Sequence, residues 1–174
     1  MISKKVVWSS PWYSIRQDEL IDSGGNTFVY NVVEKPDTVW ILPVTTRHQV
    51  VLIRHFRHTV NRWCWEIPAG NQIQGMTLRE SAEIELKEEV GGIAQHLECI
   101  GEFYAACGMS SENNHLYLAT EVTLDIPDPE PAEVIEIHPL PIVDVITMAR
   151  ENQFQSGPSA LAIFLCEQRL KKLI

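Results

Sequence analysis

The chain has 174 residues, 45% of them hydrophobic, which is the size of one domain with enough apolar material to fill its core. Its 14 lysines and arginines stand against 23 aspartates and glutamates, and the resulting net charge of -9 argues against nucleic acid as a partner. An anionic small molecule stays open, because a bound cation and a few arginines can reverse the field inside one pocket.

No apolar run reaches the roughly 20 residues of a bilayer span, so no membrane is expected. The start MISKKVVWSS lacks a signal-peptide run, and Cys64, Cys99, Cys107 and Cys166 contain no CxxC pair. The expectation is a cytoplasmic protein with free buried thiols, in preference to a zinc site completed by His96 or His115.

In chain order, YSIRQDELI, TFVYNVVE, TVWILPVT and VVLIRHF are β-rich runs separated by the turn signals DSGGN, KPD and TRHQ. Over residues 12–57 they read as an antiparallel meander. TVWILPV is apolar almost throughout, as suits a central strand covered on both faces. A loop-forming stretch, WEIPAGNQIQG, follows.

The period then changes. Thr77 and Glu80 form a T-x-x-E capping box, and Gly91 with Gly92 supplies a stop. Between them Leu78, Ala82, Leu86 and Val90 recur every fourth residue, one apolar stripe at about 100° per residue. A single helix is predicted.

Beyond it LECIGEFY, NNHLYLATEV and VIEIHPLP read as strands, separated by the loop AACGMSSE and the acidic, proline-rich stretch DIPDPEPAE. A short helix near Ile142–Glu151 and a longer one from Pro158 to about Lys172 close the chain, with Pro158 in a tolerated first-turn position. Strands, one helix, strands and two helices make an α+β domain, layered α/β/α.

The helix also carries Glu85, Glu88 and Glu89, at i, i+3 and i+4, within about 100° of arc. Two readings stand: a solvated acidic face, or a site for Mg²⁺ or Mn²⁺, whose oxygen preference suits clustered carboxylates.

Including the preceding loop changes the balance. Gly70, Glu85, Leu86, Glu88, Glu89 and Gly91 fall on the spacing of the Nudix box, G-x5-E-x7-R-E-U-x-E-E-x-G-U with U aliphatic, and the chain resembles that hydrolase superfamily. Three positions depart: Met76 stands for the first Glu, Ile84 for the Arg and Gly92 for the last aliphatic residue. Ile84 lies away from the apolar stripe, with no obvious core to enter. The resemblance extends to the segment running through VVLIRHFRH to WEIPAG, and to EFYAACGMSSE, which are similar to the ADP-ribose and nucleoside diphosphate sugar pyrophosphatases. There Gly108 and Glu112 match, and Cys107 replaces a proline.

The resemblance implies a Nudix fold, with a mixed central sheet between helices over residues 37–174. It also implies an N-terminal β-strand subdomain, 1–36, that exchanges strands in a homodimer. The activity implied is divalent-metal-dependent cleavage of the diphosphate of ADP-ribose or a related sugar nucleotide. Glu85, Glu88, Glu89 and the Ala69 carbonyl would be metal ligands, and Glu112 the general base or a further ligand, with Glu88 also catalytic. Arg57, Arg54, Glu66, Gly108 and Phe28 would contact substrate, and Trp12, Tyr13 and Tyr30 are further aromatic candidates for stacking on a base. The alternatives are a weakened domain that binds a nucleotide as a sensor, and hydrolysis of another diphosphate such as a dinucleotide or a coenzyme A derivative.

Overall fold

A computed structural model describes residues 1–129 and 133–174; residues 130–132, in the later part of the acidic stretch, lie outside the described residues. The elements in order are β1 (Ser3–Ser9), β2 (Ser14–Ile21), β3 (Thr27–Glu34), β4 (Thr38–Thr45), β5 (Gln49–Arg57), β6 (Arg62–Glu66) and β7 (Ala69–Asn71). Helix α1 (Leu78–Val90), β8 (Gly92–Ile93), β9 (His96–Phe103), β10 (Asn114–Leu124), β11 (Ile135–Pro141), α2 (Ile142–Arg150) and α3 (Gly157–Leu170) follow. No helix among the described residues is long and apolar enough to cross a membrane.

The expected meander over 12–57 does not form as one sheet. Strands β1, β2 and β3 make a three-stranded antiparallel sheet of their own, and the chain leaves it at Lys35–Asp37. β4 enters the larger sheet beside β10, parallel to it, with Thr38 opposite Asn114 and Leu42 opposite Leu118. The physical reason is burial: seven of the eight residues of β4 are buried, so it needs cover on both faces, which only the centre of a large sheet provides. The short β1, SKKVVWS, is exposed along its whole length and has no buried face that alternation could reveal.

Strand alternation assigns the core to two layers. Leu42, Val44, Val50, Leu52, Leu116 and Leu118 face α2 and α3, packing with Val145, Ile146, Ala162 and Ile163. Val39, Ile41, Val51, Ile53, Tyr117 and Ala119 face α1, packing with Ala82, Leu86 and Val90. Each such aliphatic side chain contributes about 2 kcal/mol on leaving water. The result is the α+β architecture expected, a mixed sheet between helices.

β4 and β5 touch as a ladder only at Val44 and Val50. Towards the other end they part: β5 pairs with β6 from Ile53 to Arg57, and β4 with β7 from Thr38 to Trp40. Residues 66–69 cross this split, and the base of a cavity forms there.

α1 starts and stops where its local chemistry dictates. Thr77 accepts from the Glu80 amide, and the Glu80 side chain accepts from the Thr77 amide. At the other end Gly91 adopts φ +66°, and a Cβ placed on it would lie 2.0 Å from the Asp125 carbonyl oxygen. That oxygen belongs to backbone and cannot swing aside, so Gly91→Ala is expected to destabilise the protein by about 2 to 3 kcal/mol. Urea unfolding measures this, and an unchanged midpoint would contradict the argument.

Candidate active site

Three amides of the part-buried segment Glu66–Ile73 are held by acceptors that helices supply. The Ile67 N–H donates to Ser159 Oγ of α3 at 3.1 Å, the Ala69 N–H to Glu89 Oε2 at 2.9 Å, and the Ile73 N–H to Ser81 Oγ at 3.0 Å. Gly70 sits directly under Glu85: a Cβ there would fall 1.9 Å from Glu85 Oε1. The sequence motif is thereby explained in space, with two helix glutamates folded down onto residues 69 and 70.

These residues border a cavity of about 710 Å³. Glu85 and Glu88 line it from α1, Arg57 and Thr59 from the end of β5 and the turn after it, Ala69 to Ile73 from the loop, and Trp12 from the N-terminal region. Glu112 and Glu133 also reach it, with Lys35, Thr38 and Trp40 beside Glu112. Glu89 is buried behind this wall at 2% exposure. Burial pushes its carboxyl well above the usual range, and the charges of Glu133 and Glu85 add to this, against the Ala69 amide and Arg57, which favour the ion.

Arg57 makes a forked ion pair with Glu66, Nε to Oε1 at 3.0 Å and Nη2 to Oε2 at 2.6 Å. Burial works against its charge, but the Glu66 carboxylate outweighs that and holds the guanidinium above its ordinary value. Glu112 is held by two donors on one oxygen: Lys35 Nζ lies 2.5 Å and Thr38 Oγ1 2.6 Å from its Oε1.

The residues present fit a hard divalent cation in their chemistry. They offer carboxylate oxygens, they crowd negative charge that a cation would relieve, and Gly70 leaves a cradle for the Glu85 carboxylate that any side chain would fill. Among the described residues no three His, Cys, Asp or Glu side chains already converge on one point as a metal site.

Not every candidate reaches the cavity. Strand geometry persists through Arg57, so Arg54, three residues earlier, points to the opposite face. There its guanidinium lies over the rings of Trp63 and Trp65, at 5.7 and 5.3 Å, with Glu136 3.9 Å away. Phe28 is exposed on β3 and Gly108 on the loop before β10, both off the cavity wall; the Gly108 carbonyl accepts from the Tyr30 hydroxyl. Ile84 is part-buried, so it finds more cover than its helical position implies.

Lys35, Thr38 and Glu133 belong to the wall without having been singled out from the sequence. KPDT reads as a turn, and Glu133 sits in an acidic, proline-rich run, so neither carries a local pattern. Non-local contacts bring Thr38 and Lys35 to Glu112: the pairing of β4 with β10 for Thr38, and the bridge between Val33 and Ser110 for Lys35.

Residues 34–160 match the NUDIX domain. The chain belongs to that family, among its pyrophosphatase-type hydrolases. It is 26% identical over 164 residues to the ADP-ribose pyrophosphatase of Bacillus subtilis, spanning 93% of this chain and 89% of that one. To the ADP-ribose pyrophosphatase of Mycobacterium tuberculosis it is 31% identical over 120 residues, 68% of this chain and 58% of the relative. The crystal structure of an ADP compounds hydrolase superposes with a TM-score of 0.85 at 22% identity, covering 98% of this chain and 93% of the other, a likeness of fold.

Proposed function

We propose that this protein hydrolyses the diphosphate bond of ADP-ribose or a closely related nucleoside diphosphate sugar, releasing a nucleoside monophosphate and a sugar phosphate. The observation that carries the reading is one cavity lined by Glu85 and Glu88 of the box helix, Glu112 of a distant loop and the Arg57 guanidinium. The names of the relatives supply the substrate class.

Glu85, Glu88, Glu89 and the Ala69 carbonyl would hold Mg²⁺ or Mn²⁺. Such an ion, when bound, neutralises charge on phosphoryl oxygens and makes phosphorus open to attack by water. Glu112 takes the proton from the attacking water as the new P–O bond forms. The bridging P–O bond then breaks and its electron pair leaves with the departing phosphate. Arg57, oriented by Glu66, presents N–H donors to the phosphates, and Trp12 offers an indole face to the base.

We place the protein in the cytoplasm, where its thiols, buried at Cys64 and Cys166 and exposed at Cys99 and Cys107, stay reduced. The N-terminal sheet is where two copies would meet, since Val6, Trp8, Phe28 and Val29 are exposed on it.

A panel of ADP-ribose, sugar nucleotides, dinucleotides and coenzyme A derivatives, incubated with Mg²⁺ or Mn²⁺ and assayed for monophosphate release, tests the proposal. ADP-ribose or a sugar nucleotide is expected to turn over fastest. Tight binding with no turnover of any compound would replace hydrolysis by nucleotide sensing, the reading that Ile84 at the arginine position favours.

A further inference from the structure

The geometry points to Lys35 as the positioning residue for Glu112, working together with Thr38 and anchored on the N-terminal sheet. This inference rests on the proposed reading of Glu112 as the group that accepts the proton.

Glu112 belongs to a loop whose residues Tyr104–Met109 are exposed, so burial does little to order it. Hydrogen bonds to the end of β3 take over that task. The Val33 N–H donates to the Met109 carbonyl at 2.8 Å, and the Ser111 N–H to the Val33 carbonyl at 3.0 Å, a single parallel bridge between β3 and the loop. Two residues beyond Val33, Lys35 places its ammonium on Glu112 Oε1, and Thr38 at the head of β4 donates its hydroxyl to the same atom. Both bonds fall on one oxygen, which leaves Oε2 outside the clamp and able to take a proton.

Lys35 and Glu112 side chains are 31% and 15% exposed, so the pair is only partly open to solvent and steadies the loop locally more than it adds to the stability of the whole fold. Its consequence is geometric: the donors select one rotamer of a carboxylate that would otherwise sample several on a loosely packed loop, and they do so at the cavity wall.

The test uses the full chain, with Lys35→Met to remove the ammonium but keep the stem, Lys35→Arg to restore a cation, and Thr38→Val as a second cut in the clamp. With Mg²⁺ and ADP-ribose, Lys35→Met is expected to lower kcat about tenfold while KM stays within about twofold. Lys35→Arg recovers most of the loss, and Thr38→Val shows a smaller fall in the same direction. Combined with Glu112→Gln, Lys35→Met is expected to cost nothing further, since it acts through the group already removed. In metal-free protein without substrate, the amides of residues 108–113 exchange with deuterium faster in Lys35→Met than in wild type. A raised KM at unchanged kcat, or a Lys35→Met loss that persists beside Glu112→Gln, would mean that Lys35 touches substrate and would overturn the clamp. If the wild type hydrolyses no diphosphate at all, the proposed function fails by itself. The exchange comparison then decides on Lys35, faster exchange supporting the clamp and unchanged exchange refuting it.

Discussion

Glu89→Gln is expected to reduce ADP-ribose hydrolysis on the order of a thousandfold while leaving the metal-free protein as stable as wild type or more so. The two halves have one cause. The Glu89 carboxylate is buried, its ionised form disfavoured by burial and by the nearby charges of Glu133 and Glu85, so in the metal-free protein it is a source of stress. Glutamine keeps a carbonyl oxygen to accept from the Ala69 N–H at nearly the same place, and removes the charge. A residue retained at a cost to stability is characteristic of function elsewhere. AMP release from ADP-ribose and thermal unfolding, each with and without Mg²⁺, check this: Mg²⁺ should raise the melting temperature of the wild type and do so much less for the variant. A variant that keeps more than about a tenth of the activity, or that melts several degrees lower without metal, would show that Glu89 is ordinary core.

Helix α1 was legible to the residue because both of its ends carry chemistry within a few positions. The Thr77–Glu80 box and the left-handed Gly91 need no distant partner to be recognised. Strands β2 to β5 were legible as strands, since β-branched runs between turn signals are local as well, but their pairing was not. That β4 leaves β3 and runs parallel to β10 depends on contacts between segments far apart in sequence, and the cavity depends on that pairing. The same division runs through the site. Glu85, Glu88 and Glu89 could be read from one helical arc, whereas Lys35 and Thr38 acquire meaning only when Glu112 is folded against them. Arg54 and Arg57 show the intermediate case: their spacing places them on opposite faces, and only the fold says which face holds the cavity.

One departure from the box, Ile84 in place of the arginine, also becomes intelligible. Ile84 supplies no guanidinium to orient the glutamates, but backbone does part of that work: the Ala69 amide holds Glu89, and the chain at Gly70 forms the floor on which the Glu85 carboxylate rests. Gly70→Ala is therefore expected to lower kcat/KM about a hundredfold, because displacing a reacting group's support by an ångström can cost that much. The new Cβ would lie 1.9 Å from Glu85 Oε1 and 2.0 Å from its Cδ, so the carboxylate must leave. It can leave cheaply, being the far end of a flexible side chain, and Gly70 does not need the left-handed backbone that Gly91 does. Stability is then expected to change by less than about 1 kcal/mol, in contrast to Gly91→Ala, where the obstacle is backbone. Shortening the displaced side chain in the double variant Gly70→Ala with Glu85→Asp makes room for the methyl group and is expected to recover part of the activity. Steady-state kinetics and urea unfolding of the single and double variants check the argument. Near-normal turnover in Gly70→Ala would mean that Glu85 does its work from another position, and the floor at residue 70 would lose its significance.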